Sequence, residues 1–172
     1  EAAGHRARDH RGHECHGRPR STGDRPARGH QRPGECRAAG PGHPVTFETS
    51  AAELFTLGDQ LRIHQVVANL LSNARSHTPV GTPIHVAVKA TDNGVEVAVS
   101  DQGPGLSQED QKRIFERFYR ADGSRVRVGE DGSGLGLSIV DAVMRAHGGS
   151  VSVRSELGKG STFTLHFLNR ES

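Results

Sequence analysis

The strongest constraint on folding is negative: residues 1–44 contain no Val, Ile, Leu, Met, Phe, Tyr or Trp. They are rich in Arg, Gly, Pro and His and hold both cysteines. A segment with nothing to bury cannot offset the entropy of ordering its backbone, so a disordered, low-complexity tail is expected there. All the branched aliphatic and aromatic residues fall in 45–172, a stretch long enough to build its own core. The formal charge of +2 is uneven, because the basic excess sits in the tail and the remainder is slightly acidic. A nucleic-acid-binding core is therefore not indicated.

Other classes fall on the same grounds. No run of about 18 apolar residues exists, so direct membrane insertion is not expected. The first residues carry no apolar segment of the secretory type. Two cysteines in a polar tail make no disulfide framework, and a cytoplasmic location is the expectation. His13, Cys15 and His16, with Cys36 and His43 beyond, offer soft metal ligands. They lack the paired spacing of a zinc site, and His5, His10 and His30 point to composition bias instead.

From Val45 the pattern changes. Val45-Thr46-Phe47-Glu48-Thr49 alternates and predicts a strand. Asp59 is a good N-cap for a helix reaching His77, where Thr78-Pro79 ends it. Residues 84–90 and 95–99 alternate apolar and polar, joined through Asn93-Gly94, a strong hairpin signal. A helical stretch is expected around 107–119 and a glycine-rich, charged loop over 121–134. A second long helix is expected over 135–147, stopped by Gly148-Gly149, with closing strands near 150–155 and 161–167. Hairpins mixed with two long helices predict an α+β sandwich, a mixed, mostly antiparallel sheet covered on one face by helices.

Three elements carry chemistry. On the first long helix, Ile63, Val67, Leu70 and Ala74 make an apolar stripe, while Asn69 and Asn73 stack four apart beside it. The pair fits a solvated polar face, or two amide oxygens offered to a hydrated Mg²⁺. Asp101-Gln102-Gly103-Pro104-Gly105 follows a strand end, where a carboxylate could accept a hydrogen bond from an exocyclic amine such as that of adenine. It could equally be a plain turn. Gly132-Ser133-Gly134-Leu135-Gly136-Leu137-Ser138 runs into a helix, and glycines there bare backbone N–H groups towards anions. It is neither the dinucleotide fingerprint nor a P-loop.

The order of these elements is more specific than any one of them. The chain from about 45 to 168 resembles the ATP-binding catalytic domain of sensor histidine kinases, in the superfamily that includes gyrase-type and chaperone ATPases. Asn69-Leu70-Leu71-Ser72-Asn73-Ala74 with His77-Thr78-Pro79 matches its N-box, and Asp101 to Leu106 its G1 box. Ile114-Phe115-Glu116-Arg117-Phe118-Tyr119-Arg120 matches the F-box, Gly132 to Leu137 the G2 box, and Gly158 to Phe163 the last glycine turn.

The resemblance implies a Bergerat-type two-layer fold that binds ATP and Mg²⁺. Asn73 would coordinate Mg²⁺ and Asn69 would support the metal–phosphate cluster, with Arg75 and His77 near the nucleotide. Asp101, Gly103, Gly105 and Leu106 would frame the adenine, and Thr162 would lie near the base. Residues 121–134 would form the ATP lid, and Gly132, Gly134, Leu135, Gly136 and Leu137 would bring backbone to the phosphates. Phe115 and Phe118 would pack the lid base or serve as plain core aromatics. Arg120 would reach the γ-phosphate or steady the lid. Family members often carry a Lys or Arg three residues after the metal-binding asparagine, where this chain has Ser76.

Hydrolytic relatives carry a glutamate four residues before that asparagine, where it can deprotonate water; here the position is Asn69, and an amide accepts no proton at neutral pH. This favours phosphoryl transfer to an incoming nucleophile. The family's phosphoacceptor histidine lies in a dimeric helical hairpin, but His13-Glu14 here has no apolar heptads around it. A separate partner protein carrying that histidine and hairpin is therefore expected, with a response regulator engaged indirectly. A non-catalytic module of the same fold and a serine kinase of the anti-sigma type are the alternatives. The composition of 1–44 also matches GC-rich coding sequence read out of frame. His64 is expected on a solvated helix face, and His147 as a favourable charge at a helix C-terminus.

Overall fold

The computed structural model describes residues 36–38, 42–50, 54–121 and 134–168. The chain divides into two units, Glu1–Gln31 and Arg32–Ser172, and all described residues belong to the second. Of the disordered tail expected over 1–44 only 36–38 and 42–44 are described; the rest, with the zinc reading of His13, Cys15 and His16, lies outside the described residues.

In chain order the elements are β1 (Cys36–Ala38), β2 (Val45–Thr49), α1 (Gln60–His77), β3 (Ile84–Thr91), β4 (Gly94–Asp101), α2 (Gln108–Arg113), α3 (Gly136–Ala146), β5 (Ser150–Glu156) and β6 (Gly160–Leu168). The six strands form one sheet in the order β1-β2-β3-β4-β6-β5. Only β2 and β3 run parallel, linked by the α1 crossover; every other pair is antiparallel. This is the expected α+β architecture. The boundary drawn at residue 44 falls too late, because Cys36–Ala38 pairs with Val45–Phe47. A strand pairs through its backbone and needs no aliphatic side chain, so a hydrophobicity boundary misses it. His43, too, is buried, with Nδ1 3.0 Å from the Thr82 carbonyl.

The core lies between α1 and α3 and one sheet face. Val66, Leu70 and Ala74 of α1 meet Leu137, Val140 and Met144 of α3 over Val86, Val99, Phe163, Leu165 and Phe167. The buried stripe of α1 thus runs through Val66, while Ile63 and Val67 flank it half-buried. Asp59 caps α1, its Oδ1 accepting from the N–H groups of Leu61 (2.9 Å) and Arg62 (3.1 Å). At the other end the backbone of Thr78 turns extended before Pro79, and its hydroxyl donates to the Ala74 carbonyl at 2.7 Å. The helix expected over 107–119 is regular only to Arg113. A capping box between Ser107 and Asp110 starts it. Beyond it Phe118 adopts φ 63°, which no helix admits.

Candidate nucleotide site

The antiparallel α1 and α3 bring the two asparagines beside the start of α3. Nδ2 of Asn69 donates to the Gly136 carbonyl at 3.4 Å. Asn73, one turn further, is half-buried, and its side chain makes no hydrogen bond to another described residue. Among the described residues no side chain caps α3 at Leu135. Its first-turn N–H groups therefore present a partial positive charge that suits phosphate. Gly136 is exposed, whereas the Leu137 side chain is buried in the core, so Leu137 can serve a ligand only through its backbone.

Asp101 ends β4 on the helix-covered face, and the turn after it is held from three sides. The N–H of Gly103 donates to its Oδ1 at 2.8 Å. The backbone N–H of Ser161 on β6 bonds the same carboxylate. A Cβ on Gly103 would lie 2.6 Å from Cγ2 of Thr78, so this glycine lets the end of α1 close on the turn. Gly105 takes φ 72°, and a Cβ there would run into the Glu156 carbonyl. Leu106 donates its N–H to Oγ of Ser155 at 2.7 Å, and Gln111 Nε2 ties the carbonyls of Leu106 (3.1 Å) and Ser155 (3.0 Å) together. Burial raises the Asp101 carboxyl above the usual aspartate range, while the Gly103 and Ser161 N–H groups and the nearby His77 pull the other way. A desolvated carboxylate that keeps acceptor capacity is suited to reading an amine.

The F-box segment is fastened at its base. Tyr119 donates its hydroxyl to Asp110 Oδ1 at 2.8 Å, and the Arg113 guanidinium lies over the Tyr119 ring at 4.4 Å. The Ser107 and Tyr119 hydroxyls hold the Asp110 carboxyl below its ordinary value. Phe115 packs edge-on against Phe163 with centroids 6.4 Å apart, as a core aromatic would. Phe118 differs from expectation. The residue is 71% exposed, and its backbone N–H instead donates to the Gly134 carbonyl at 3.0 Å. Gly134, at φ 67°, has no room for a Cβ over the Phe118 backbone. The two ends of the expected lid are thus stitched together by main chain, while 122–133, including Gly132, lie outside the described residues.

Thr162 requires correction. Asp101 pairs with Ser161 and Ser100 with Thr162, so Thr162 points to the opposite sheet face, where its hydroxyl lies 2.9 Å from that of Ser100. Ser161, buried beside Asp101, occupies the place assigned to Thr162. The period-2 parity of β4 against β6 carries that signal. Arg75 and His77 are both exposed on the last turn of α1, and only His77 acts on Asp101. Sequence reasoning also missed Ser155 and Gln111, which hold the turn without touching its carboxylate. Arg120 is exposed beside the lid base. No group of three or more His, Cys, Asp or Glu among the described residues could hold a metal ion, so an ion here would rely on amide and phosphate oxygens. No helix among them is long and apolar enough to cross a membrane.

Comparison with known proteins agrees with this geometry. Residues 58–171 match the family model described as histidine kinase-, DNA gyrase B-, and HSP90-like ATPase. The sensor-like histidine kinase SenX3 of Mycolicibacterium smegmatis is 44% identical over 131 residues, covering 72% of this chain and 34% of SenX3. The sensor histidine kinase CusS of Escherichia coli is 44% identical over 108 residues, covering 63% of this chain and 22% of CusS. The chain thus spans about a third or less of the length of these relatives. Among solved structures, the mycobacterial sensor histidine kinase MprB superposes with TM-score 0.61 at 30% identity, over 74% of this chain and 84% of that one. Full-length ShkA in complex with AMPPNP superposes with TM-score 0.62 at 33% identity, over 76% of this chain and 27% of that one. With asparagines, aspartate turn and glycine-led helix all in family order, the chain belongs to the histidine kinase-, DNA gyrase B- and HSP90-like ATPases, as the catalytic ATPase domain of a histidine kinase.

Proposed function

We propose that this chain is the Mg-ATP-binding subunit of a two-component system, passing the γ-phosphoryl group to a histidine on a separate partner chain. Asp101 accepts from the adenine amine, and the uncapped N–H groups at the start of α3 hold the phosphates. Asn73, with Asn69 beside it, supplies amide oxygens to Mg²⁺. The residues fit this ligand: among the described residues the Asn73 amide has no side-chain partner and the start of α3 no side-chain cap, and the Asp101 carboxylate is partly desolvated. Bound Mg-ATP brings the transferable phosphoryl group and the metal charge that neutralises it in transit. The protein contributes positioning and a field fixed in advance.

The observation that carries the kinase reading over hydrolysis is Asn69. It stands where a general base would act on water, and its amide is a donor to Gly136 instead of a proton acceptor. Within residues 1–44, His13-Glu14 has no apolar repeat of the kind a helical hairpin needs, which points to an acceptor histidine outside these 172 residues. The partner would supply the histidine and the dimerisation hairpin and would engage the response regulator itself. A mixing assay with γ-labelled ATP tests this, using the hairpin domain of SenX3 as acceptor. The expected result is an acid-labile label on the acceptor histidine and none on this chain alone. Autophosphorylation of this chain, or an acid-stable product, would overturn it.

A further inference from the structure

Two hydrogen bonds lace α1 to α3, one at each end of their contact. At the site end, Asn69 reaches the Gly136 carbonyl. At the far end, the backbone N–H of Asp59 donates to Nε2 of His147 at 3.0 Å, and Nδ1 of the same ring lies 2.8 Å from the Val143 carbonyl. A carbonyl only accepts, so Nδ1 carries the proton; an N–H only donates, so Nε2 must be bare. Together they define a neutral imidazole in its Nδ1–H tautomer. This replaces the reading of His147 as a helix-end cation. A Cβ on Gly58 would lie 2.8 Å from the His147 ring and 2.7 Å from Ile63 Cδ1, so the glycine makes the ring's seat.

The spacing of the two bonds is matched. From Asp59 to Asn69 α1 rises about 15 Å, and from Gly136 to His147 α3 rises about 16.5 Å, at about 1.5 Å per residue. The helices are therefore fixed at both ends of one contact, with Val66, Leu70, Val140 and Met144 packed between. Releasing the far end lets α3 shift along α1, which changes the offset between the Asn73 amide and the first N–H groups of α3. Those are the two groups that must meet one ligand.

We propose that His147 is a positioning residue for the nucleotide site, its neutral ring pinning α3 to the cap of α1 so that the two halves stay in register. The inference rests on the ATP-binding reading above. No other charge competes for the ring among the described residues. The Asp59 carboxylate is turned to Leu61 and Arg62, and Asp141 and Arg145 pair with each other at 3.0 Å. On the sheet beneath α3, His166 bonds Glu96 and Ser152 on the face away from the helices, and Arg154 is exposed.

The test compares the full chain with His147→Gln and His147→Ala. Glutamine offers an amide donor and a carbonyl acceptor spaced like the two ring nitrogens. Mg-ATP dissociation constants at pH 7.5 should be alike for wild type and H147Q. They should be about five-fold weaker for H147A, the scale of one lost hydrogen bond expressed as a smaller competent fraction. Nitrogen NMR of the ligand-free protein at pH 7.5 should show the Nδ1–H tautomer. An Nε2–H ring, a loss in H147Q equal to that in H147A, or full affinity in H147A would each overturn the proposal. No Mg-ATP binding by wild type, with the tautomer as described, would overturn the ATP-binding reading and the positioning role with it, while leaving the pin itself standing.

Discussion

Replacing Asp101 with asparagine separates what the carboxylate does for the ligand from what it costs the fold. In the free protein one oxygen already accepts the Gly103 N–H at 2.8 Å, and the Ser161 N–H adds a second backbone bond. Asparagine can keep its carbonyl on those donors, which turns its NH₂ outward towards the base, donor against donor. A hydrogen bond to a charged group is worth about 1.5–3 kcal/mol, so ATP affinity should fall by roughly 10- to 150-fold. Stability should move the opposite way. Burial raises the Asp101 carboxyl, so the native state holds that proton more tightly than the unfolded chain does. Stability from this group is therefore lost as pH rises from about 4 through the raised value, and at pH 7.5 the ionised group carries its full cost. Asp101→Asn should melt at a higher temperature than wild type at pH 7.5, with the gap closing below about pH 4. Calorimetric titration with ATP and with ITP, which lacks the amine, reads the affinity; thermal melts without ligand read the stability. Unchanged ATP affinity in a fully folded variant would refute the base-reading role, and a lower melting temperature at pH 7.5 would refute the desolvation argument.

Gly105→Ala should cost about 3 kcal/mol or more, because the left-handed conformation and the Glu156 carbonyl both exclude a Cβ; urea unfolding measures it. Leu70→Ala should cost about 2–5 kcal/mol in the same assay, since the side chain is fully buried between the helices and the sheet. Tyr119→Phe removes a hydroxyl that holds the Asp110 carboxyl low. A depressed carboxyl stabilises above its unfolded value and loses that contribution as pH falls. The wild-type advantage over Tyr119→Phe in melting temperature should thus be full at pH 6 and shrink below about pH 4.

Much of this fold was legible because local signals agree with the tertiary ones. Asp59, Thr78-Pro79 and Asn93-Gly94 mark ends and turns by their own backbone preferences, and the structure places them there. Parity in β4 and β6 was also written in the sequence, yet reading it for a site needs the register, and without Asp101 set opposite Ser161 the neighbouring Thr162 looked equivalent. The strand Cys36–Ala38 and the buried His43 were hidden for a different reason: backbone pairing and a side-chain bond to the Thr82 carbonyl leave no hydrophobic trace. Phe118 shows the limit of composition. Its aromatic ring suggests packing, but what it contributes is a backbone N–H at φ 63°, a property of the whole turn. The same holds for His147, whose ring accepts an N–H contributed from 88 residues away.

The central claim is that Asn73 and the uncapped start of α3 form one Mg-nucleotide site with Asp101. Calorimetric titration of the full chain with a non-hydrolysable ATP analogue, with Mg²⁺ and again with EDTA, tests it directly alongside Asn73→Ala. Wild type should show a single saturable site that weakens sharply both without Mg²⁺ and in the folded Asn73→Ala variant. Binding of equal strength in all three cases, or none in wild type with Mg²⁺, would contradict it.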